Sequence, residues 1–464
     1  MAPFPIPVPA ILSVLAFLAL TMLHAQPSDR PNIVLILADD LGYGDLGVYG
    51  STQIETPHID QLAKEGVRFT QAYVSSSVCA PSRAGLLTGR NQVEFGFDNN
   101  ISDNQPGFDP SFLGLPVEVP TIADYLSEVG YMTGLVGKWH LGEQEPFHPL
   151  NRGFQEFWGY TGGGHDYFRS EEGGEGYLRP IESNFSEPGP IRYLTDDKGE
   201  VCVDFIKRHS DRPFFLLASF NAPHTPLQAR ESDLKRYGHI EDPDRRTYAA
   251  MVYRFDVNVG KIVNALKKEG LYRKTLIVFL SDNGGPVDQN HSLNAPLNGQ
   301  KGSLLEGGIR VPMIVQWPGK FKEGSVYEPM VSALDLAPTF MKLAGVALDG
   351  KPLSGRDLFP FLNGTAQGNP HEDLKWRFTI SAAIRSGDWK LVRLPDRLPR
   401  LYHLPTDISE QVDLSLQNLE KTKELLKKLG QWDVRLPHPV FLEGAEWKSR
   451  QLDLYDRTYP LVQE

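Results

Sequence analysis

Residues 32–40 read NIVLILADD, and residues 276–285 read LIVFLSDNGG. Each is a short unbroken apolar run that stops abruptly at oxygen-bearing side chains. An unbroken run, unlike an alternating one, has both faces covered, as in a parallel sheet packed between helices. Val67–Tyr73, Tyr131–Val136, Phe214–Ser219 and Val311–Trp317 repeat the pattern. Helical stretches lie between them. Ile122–Val129 stops at Gly130, where a left-handed cap fits. Residues 246–269 carry a stripe of Val252, Phe255, Val259, Ile262, Val263 and Leu266 that ends before Gly270. The expected fold class is α/β, a large, mostly parallel sheet sandwiched by helices.

The same two runs also point to chemistry. In an open parallel sheet, ligands gather beyond the carboxyl ends of the strands. Asp39 and Asp40 would meet Asp282 and Asn283 there. Three carboxylates and an amide repel one another unless a cation holds them, and an all-oxygen donor set favours Ca²⁺ or Mg²⁺ over Zn²⁺. The other reading of the spacing is a pair of ordinary acidic turns. Cys79 lies in SSSVCAPSRAGLLTG (75–89), a strand leading into a helix with Pro81 near its first turn. A helix entrance suits an anion, and Arg83 adds a full charge. Equally, Cys79 fits a small buried cysteine in a tight turn.

The chain has 464 residues and a formal net charge of −11, with 41% apolar and 23% charged residues. That length allows two or three domains, and the composition excludes a disordered chain and a multi-pass membrane protein. The acidic balance argues against a nucleic-acid partner. Two cysteines, Cys79 and Cys202, give no disulfide framework. Ile11–Leu23 is a 13-residue uncharged apolar run. It is short for a membrane span and suits a signal-peptide core cleaved after Ala25, so export to the periplasm or the extracellular space is expected, without stable membrane insertion. Gly159–Gly189 reads as a long glycine-rich loop. Near residue 370 the character changes: Phe378–Arg385 and Trp389–Arg393 suggest a hairpin, and Leu416–Leu429 an amphipathic helix. The expected organisation is a leader (1–25), a catalytic α/β domain (26–370) and a smaller C-terminal α+β subdomain (371–464).

Cys79-Ala80-Pro81-Ser82-Arg83, followed by Leu87-Thr88-Gly89-Arg90, resembles the signature of the formylglycine-dependent sulfatases of the alkaline phosphatase superfamily. Gly137-Lys138-Trp139-His140-Leu141-Gly142, Ala222-Pro223-His224-Thr225-Pro226, and Lys301-Gly302 with Glu306-Gly307-Gly308-Ile309-Arg310-Val311-Pro312 resemble further blocks in family order. The blocks at 383–392 and 401–404 fit as well, so the resemblance spans about residues 30–415. It implies that a maturation enzyme oxidises Cys79 to formylglycine (3-oxoalanine), whose hydrate attacks sulfur and later collapses to release sulfate. It also implies that Asp39, Asp40, Asp282, Asn283 and the modified Cys79 hold Ca²⁺. Arg83 and Lys138 would steady the diol and the metal-side charge, and His140 would take the diol proton. His224 and Lys301 would contact sulfate and the leaving oxygen, one of them as general acid.

The expected activity is therefore hydrolysis of a sulfate ester, with a sulfated carbohydrate as substrate. The segment GGGHDYF (162–168) is similar to one in bacterial polysaccharide sulfatases, which makes Trp158, His165 and Asp166 candidates for a sugar subsite; the other reading is a glycine-rich lid packing on itself. Two alternatives stand beside the sulfatase reading. One is a phosphonate monoester hydrolase or phosphodiesterase of the same superfamily, which Asn283 disfavours because those enzymes typically carry histidine there. The other is a non-catalytic protein that binds sulfated glycans through an unmatured Cys79.

Overall fold

The computed structural model describes residues 30–101, 112–395, 397–442 and 445–458. The leader expected over residues 1–25 lies outside them. Each apolar run named above forms a strand. β1 (Asn32–Ala38), β2 (Val67–Tyr73), β3 (Met132–Lys138), β4 (Glu156–Tyr160), β5 (Glu182–Ser183), β6 (Phe214–Ser219), β7 (Thr275–Ser281), β8 (Arg310–Gln316), β9 (Ser325–Tyr327) and β10 (Val331–Ser332) make one ten-stranded sheet. Its order is β10-β2-β8-β7-β1-β6-β3-β4-β5, with β9 beside β2. The consecutive strands β7, β1, β6, β3 and β4 are all parallel, and Ile36 pairs with Ala218 on one side and Phe279 on the other. β8 runs antiparallel to both β7 and β2, which makes the sheet mixed.

Every residue of β1 is buried, because its alternate side chains enter two different cores. Ile33, Leu35 and Leu37 pack with α2 (Cys79–Thr88), α3 (Ile122–Glu128) and α6 (Leu336–Leu343). Val34, Ile36 and Ala38 pack with α1 (Pro57–Lys64), α4 (Leu194–Arg208) and α5 (Pro243–Lys268). Each Val, Leu or Ile among them contributes about 1.5–3 kcal/mol on burial. The helix starts follow local chemistry. Thr121 and Asp124 form a reciprocal capping box for α3, and Asp242 caps α5 ahead of Pro243. α2 is buried over its whole length and stops at Gly89, whose φ of 65° is the left-handed cap.

A second, antiparallel sheet of β11 (Asp373–Phe378), β12 (Ser381–Ser386), β13 (Trp389–Arg393) and β14 (Arg400–His403) follows. Ala382, Ile384, Leu391 and Leu401 meet Leu425 and Leu429 of α7 (Leu419–Asp433), while Ala383, Val392 and Tyr402 join the main core. The single strand expected over Phe378–Arg385 is in fact two. Phe378 ends β11, and a turn with Thr379 at φ 44° separates it from β12. Sequence reading also missed α4, and the loop expected over Gly159–Gly189 contains the end of β4 and all of β5.

Candidate active site

The parallel strands deliver their carboxyl ends to one edge of the sheet. Asp39 and Asp40 follow β1, Asp282 and Asn283 follow β7, and His224 lies in the loop after β6. Lys138 is the last residue of β3, with His140 two residues on, and Cys79 opens α2. Because β8 is antiparallel, the loop before it brings Lys301 to this same edge. Asp40 and His140 turn the chain away at φ 67° and 63°. That conformation costs a non-glycine residue about 1–3 kcal/mol. Asp40 is held in it by Asn290 Nδ2, which donates to the Asp40 carbonyl at 3.0 Å, and by its own N–H, which donates to Asp282 Oδ1 at 3.3 Å.

Ligand atoms of Asp39, Asp40, Cys79 and Asp282 all lie within 4.8 Å of one another. Asn283 donates Nδ2 to Asp40 Oδ1 at 2.7 Å, while its Oδ1 is buried without a partner. Three clustered carboxylates and an orphaned amide oxygen fit a hard divalent cation. Each carboxylate also has a different cationic side chain as its nearest ion-pair partner, and Asp39 has Arg83 Nη2 3.8 Å away as well. Lys138 Nζ lies 2.6 Å from Asp39, Lys301 Nζ 2.8 Å from Asp40, and Arg83 Nε 2.8 Å from Asp282. Arg83 Nη1 further donates to Ser219 Oγ at 2.7 Å and to the Lys138 carbonyl at 3.2 Å, which fixes the guanidinium between two strands.

Burial sets the protonation states. It would push Asp39 up, but Lys138, His224, Arg83 and Lys301 together hold it well below the usual carboxylate range. Burial and the Asp39 charge raise Asp282 to about 7 despite Arg83, a strain that a cation in the cluster would relieve. The Cys79 thiol lies 3.5 Å from Asp39 Oδ1, and burial pushes it up to about 12 against the pull of Lys138 and Lys301. An unmodified Cys79 is therefore a poor thiolate nucleophile at neutral pH. Burial, then Lys138 and Arg83, hold His140 well below the usual imidazole value, and its Nδ1 has no partner. His224 is lowered by burial; its Nδ1 is 2.6 Å from the Thr225 carbonyl and its Nε2 is 3.6 Å from Asp40 Oδ2. Desolvation opposes the charge on Lys301, but Asp40, Cys79 and Asp39 hold its pKa well above the ordinary lysine value.

The structure thus brings together Cys79, Arg83, Lys138, His140, His224 and Lys301 with Asp39, Asp40, Asp282 and Asn283. The three residues considered for a sugar subsite are placed differently. Trp158 is buried within β4, and both ring nitrogens of His165 meet backbone carbonyls, Asp166 at 2.7 Å and Arg179 at 2.6 Å. The Asp166 carboxylate accepts from Phe168 N, Arg169 N and Gln228 Nε2. The polar groups of His165 and Asp166 are engaged in folding the 161–179 loop.

Other residues of the site were not legible in the sequence. Lys198, fully buried in α4, donates Nζ to Asn221 Oδ1 at 2.6 Å and lies 4.9 Å from the centre of the Tyr160 ring. The Asn221 carbonyl in turn accepts from His224 N at 2.7 Å. Behind the Lys301 loop, Lys390 Nζ bridges Glu306 and Glu410, 2.9 Å from each. The first network was hidden because a polar helix turn (Asp196-Asp197-Lys198) gives no apolar stripe to read. The second joins segments far apart in the chain.

A family model described as Sulfatase matches residues 31–346, and one described as N-sulphoglucosamine sulphohydrolase, C-terminal, matches residues 300–432. Human (Homo sapiens) arylsulfatase A is 37% identical over 387 residues, covering 78% of this chain and 73% of that protein. The N-acetylgalactosamine-6-sulfatase of Canis lupus familiaris is 35% identical over 355 residues, 72% of this chain and 66% of that one. The solved structure of Ps i-CgsB in complex with k-i-k-neocarrahexaose superposes with a TM-score of 0.84 at 38% identity, over 92% of this chain and 98% of that chain.

Proposed function

The chain belongs to the sulfatase family and is a sulfuric ester hydrolase, and we propose that its substrate is a sulfated saccharide and that its nucleophile derives from Cys79. The carrying observation is the buried cluster itself, where Cys79 stands among three carboxylates and three cations at one sheet edge. Those six charges balance, so a divalent cation leaves the pocket net positive, as an anionic ester group requires. The similarity to Ps i-CgsB, solved with a neocarrahexaose, supports the saccharide assignment.

In this reading Asp39, Asp40, Asp282 and the orphaned Asn283 Oδ1 hold Ca²⁺, joined by an oxygen of the modified Cys79. The ion, when bound, polarises the sulfate oxygens as a Lewis acid. Formylglycine, made from Cys79 by a maturation enzyme, supplies an oxygen nucleophile that a thiol held at about 12 does not. Arg83 and Lys138 hold their positions through Asp282 and Asp39 and present positive charge to the sulfate. His140, neutral and with Nδ1 unpartnered, is placed to accept a proton. Between His224 and Lys301, His224 is the better proton donor to the departing alcohol. Lys301 is held charged by Asp40, whereas burial lowers the His224 imidazole below its ordinary value, which makes its protonated form the stronger acid. We further propose export directed by residues 1–25. No helix among the described residues is long and apolar enough to cross a membrane.

The test is to express the full chain with a formylglycine-generating enzyme and confirm conversion of Cys79 by mass spectrometry. Sulfate release is then measured by ion chromatography from carrageenan and glycosaminoglycan oligosaccharides. Release from at least one saccharide is expected, with loss in Cys79→Ala. Full conversion without release from any saccharide would overturn the substrate assignment.

A further inference from the structure

With His165 and Asp166 engaged inside the loop, a different side chain is left open at the mouth of the site. Tyr177 is 44% exposed, and its ring centre lies 6.3 Å from that of His224 at an interplanar angle of 89°. Its backbone is pinned on both sides. The Tyr177 carbonyl accepts from Asp166 N at 2.8 Å, and the Arg179 carbonyl meets His165 Nε2 at 2.6 Å. The ring also rests on Gly164, where an added Cβ would lie 2.3 Å from Cε1. A large aromatic held in place yet exposed, beside the residue assigned to the departing oxygen, has the form of a sugar platform.

We infer that Tyr177 is a specificity residue that stacks on the saccharide ring attached to the departing oxygen, an inference that rests on the saccharide reading above. The C–H face of a pyranose is apolar enough to pack on an aromatic ring, and a fixed ring loses little conformational entropy on doing so. His165 and Asp166 then act as positioning residues that set Tyr177 without touching substrate.

Tyr177→Ala and Gly164→Ala test this independently. The first removes the ring, and the second displaces it from a backbone that is not in the left-handed region. Steady-state kinetics use the sulfated saccharide that the wild-type enzyme cleaves fastest. Inorganic sulfate as competitive inhibitor reports on the anion pocket alone. The expected result for each variant is a KM raised roughly three- to tenfold. The kcat and the sulfate inhibition constant should stay within about twofold, and Tyr177→Trp should restore KM. An unchanged KM in both variants of an active enzyme overturns the stacking role alone. So does a sulfate inhibition constant that rises with KM, because the anion pocket itself has then moved. A wild-type enzyme that releases sulfate from no saccharide overturns the functional reading, and the stacking role falls with it.

Discussion

Lys390→Met places two carboxylates in conflict. Lys390, Glu306 and Glu410 are fully buried, with Nζ 2.9 Å from one oxygen of each acid. Glu306 has further support, since Tyr73 OH donates to its Oε2 at 2.6 Å and Arg310 Nη1 lies 3.3 Å away. Burial would raise Glu306, yet Lys390, Arg310 and Arg385 hold it at about 2. Glu410 lacks that support, and burial lifts it to about 7 even with Lys390 present. The two acids therefore act in opposite pH windows. The contribution of Glu306 is present above its ordinary 4.5 and is lost as pH falls toward 2. That of Glu410 is present below 4.5 and is lost as pH rises through 7, about 3 kcal/mol over the interval. Removing one partner of a buried ion cluster costs about 3–5 kcal/mol. In Lys390→Met that loss is expected in full at pH 8, and reduced by about half at pH 5, where Glu410 is protonated. Urea unfolding of the full chain at both pH values measures it. A loss below about 1 kcal/mol at pH 8, or an equal loss at both, would refute the assignment of Lys390 as the shared counter-ion.

Three further outcomes are expected. Ca²⁺ at a hundredfold excess over its dissociation constant should stabilise the chain by about 2.7 kcal/mol in a thermal-shift assay, and Asn283→Ala should lose most of that gain. A Ca²⁺ response unchanged in the variant would remove Asn283 from the ligand set. Lys198→Met deletes a buried amine that burial holds well below the ordinary lysine value and that has no carboxylate bonded to it. Stability should hold or rise by about 1 kcal/mol while kcat falls about tenfold through loosened Asn221 and His224. An unaltered kcat would break that link. Gly163→Ala would put a methyl group 2.8 Å from His140 Nε2, so kcat should fall about tenfold with the fold intact by circular dichroism. Wild-type kcat would show that His140 can be displaced without consequence.

What the sequence disclosed depended on how locally each feature is encoded. β1 and β7 were legible because being buried on both faces forces an unbroken apolar run, and their polar ends marked the site. The long helix α5 was read nearly to its ends from its stripe. α4 was not, because Asp196, Asp197 and Lys198 occupy buried positions that apolar periodicity reads as surface. The turn at Thr379 was invisible because it carries no Gly, Pro, Asn or Asp. In the site, the motif blocks supplied each charged residue around Cys79, yet not which carboxylate each cation faces. Lys390 and Glu306 lay inside recognised blocks, but their pairing with Glu410 exists only once the two sheets meet. Trp158, His165 and Asp166 were singled out by a segment resemblance and by residue type, neither of which reveals that a histidine is already held on both sides by its own loop.

The burial of Cys79 sets a clock on biosynthesis. Folded, it is sealed beneath Asp282 and Lys301, which follow it by some 200 residues. At roughly 5–20 residues per second, the ribosome takes on the order of 10–40 s to add them. Under the maturation proposed above, an oxidising enzyme would have to reach Cys79 as an extended segment before β7 joins β1. On that proposal the yield of active protein would be decided by a race between modification and folding, and a chain that folded first would stay in the thiol form.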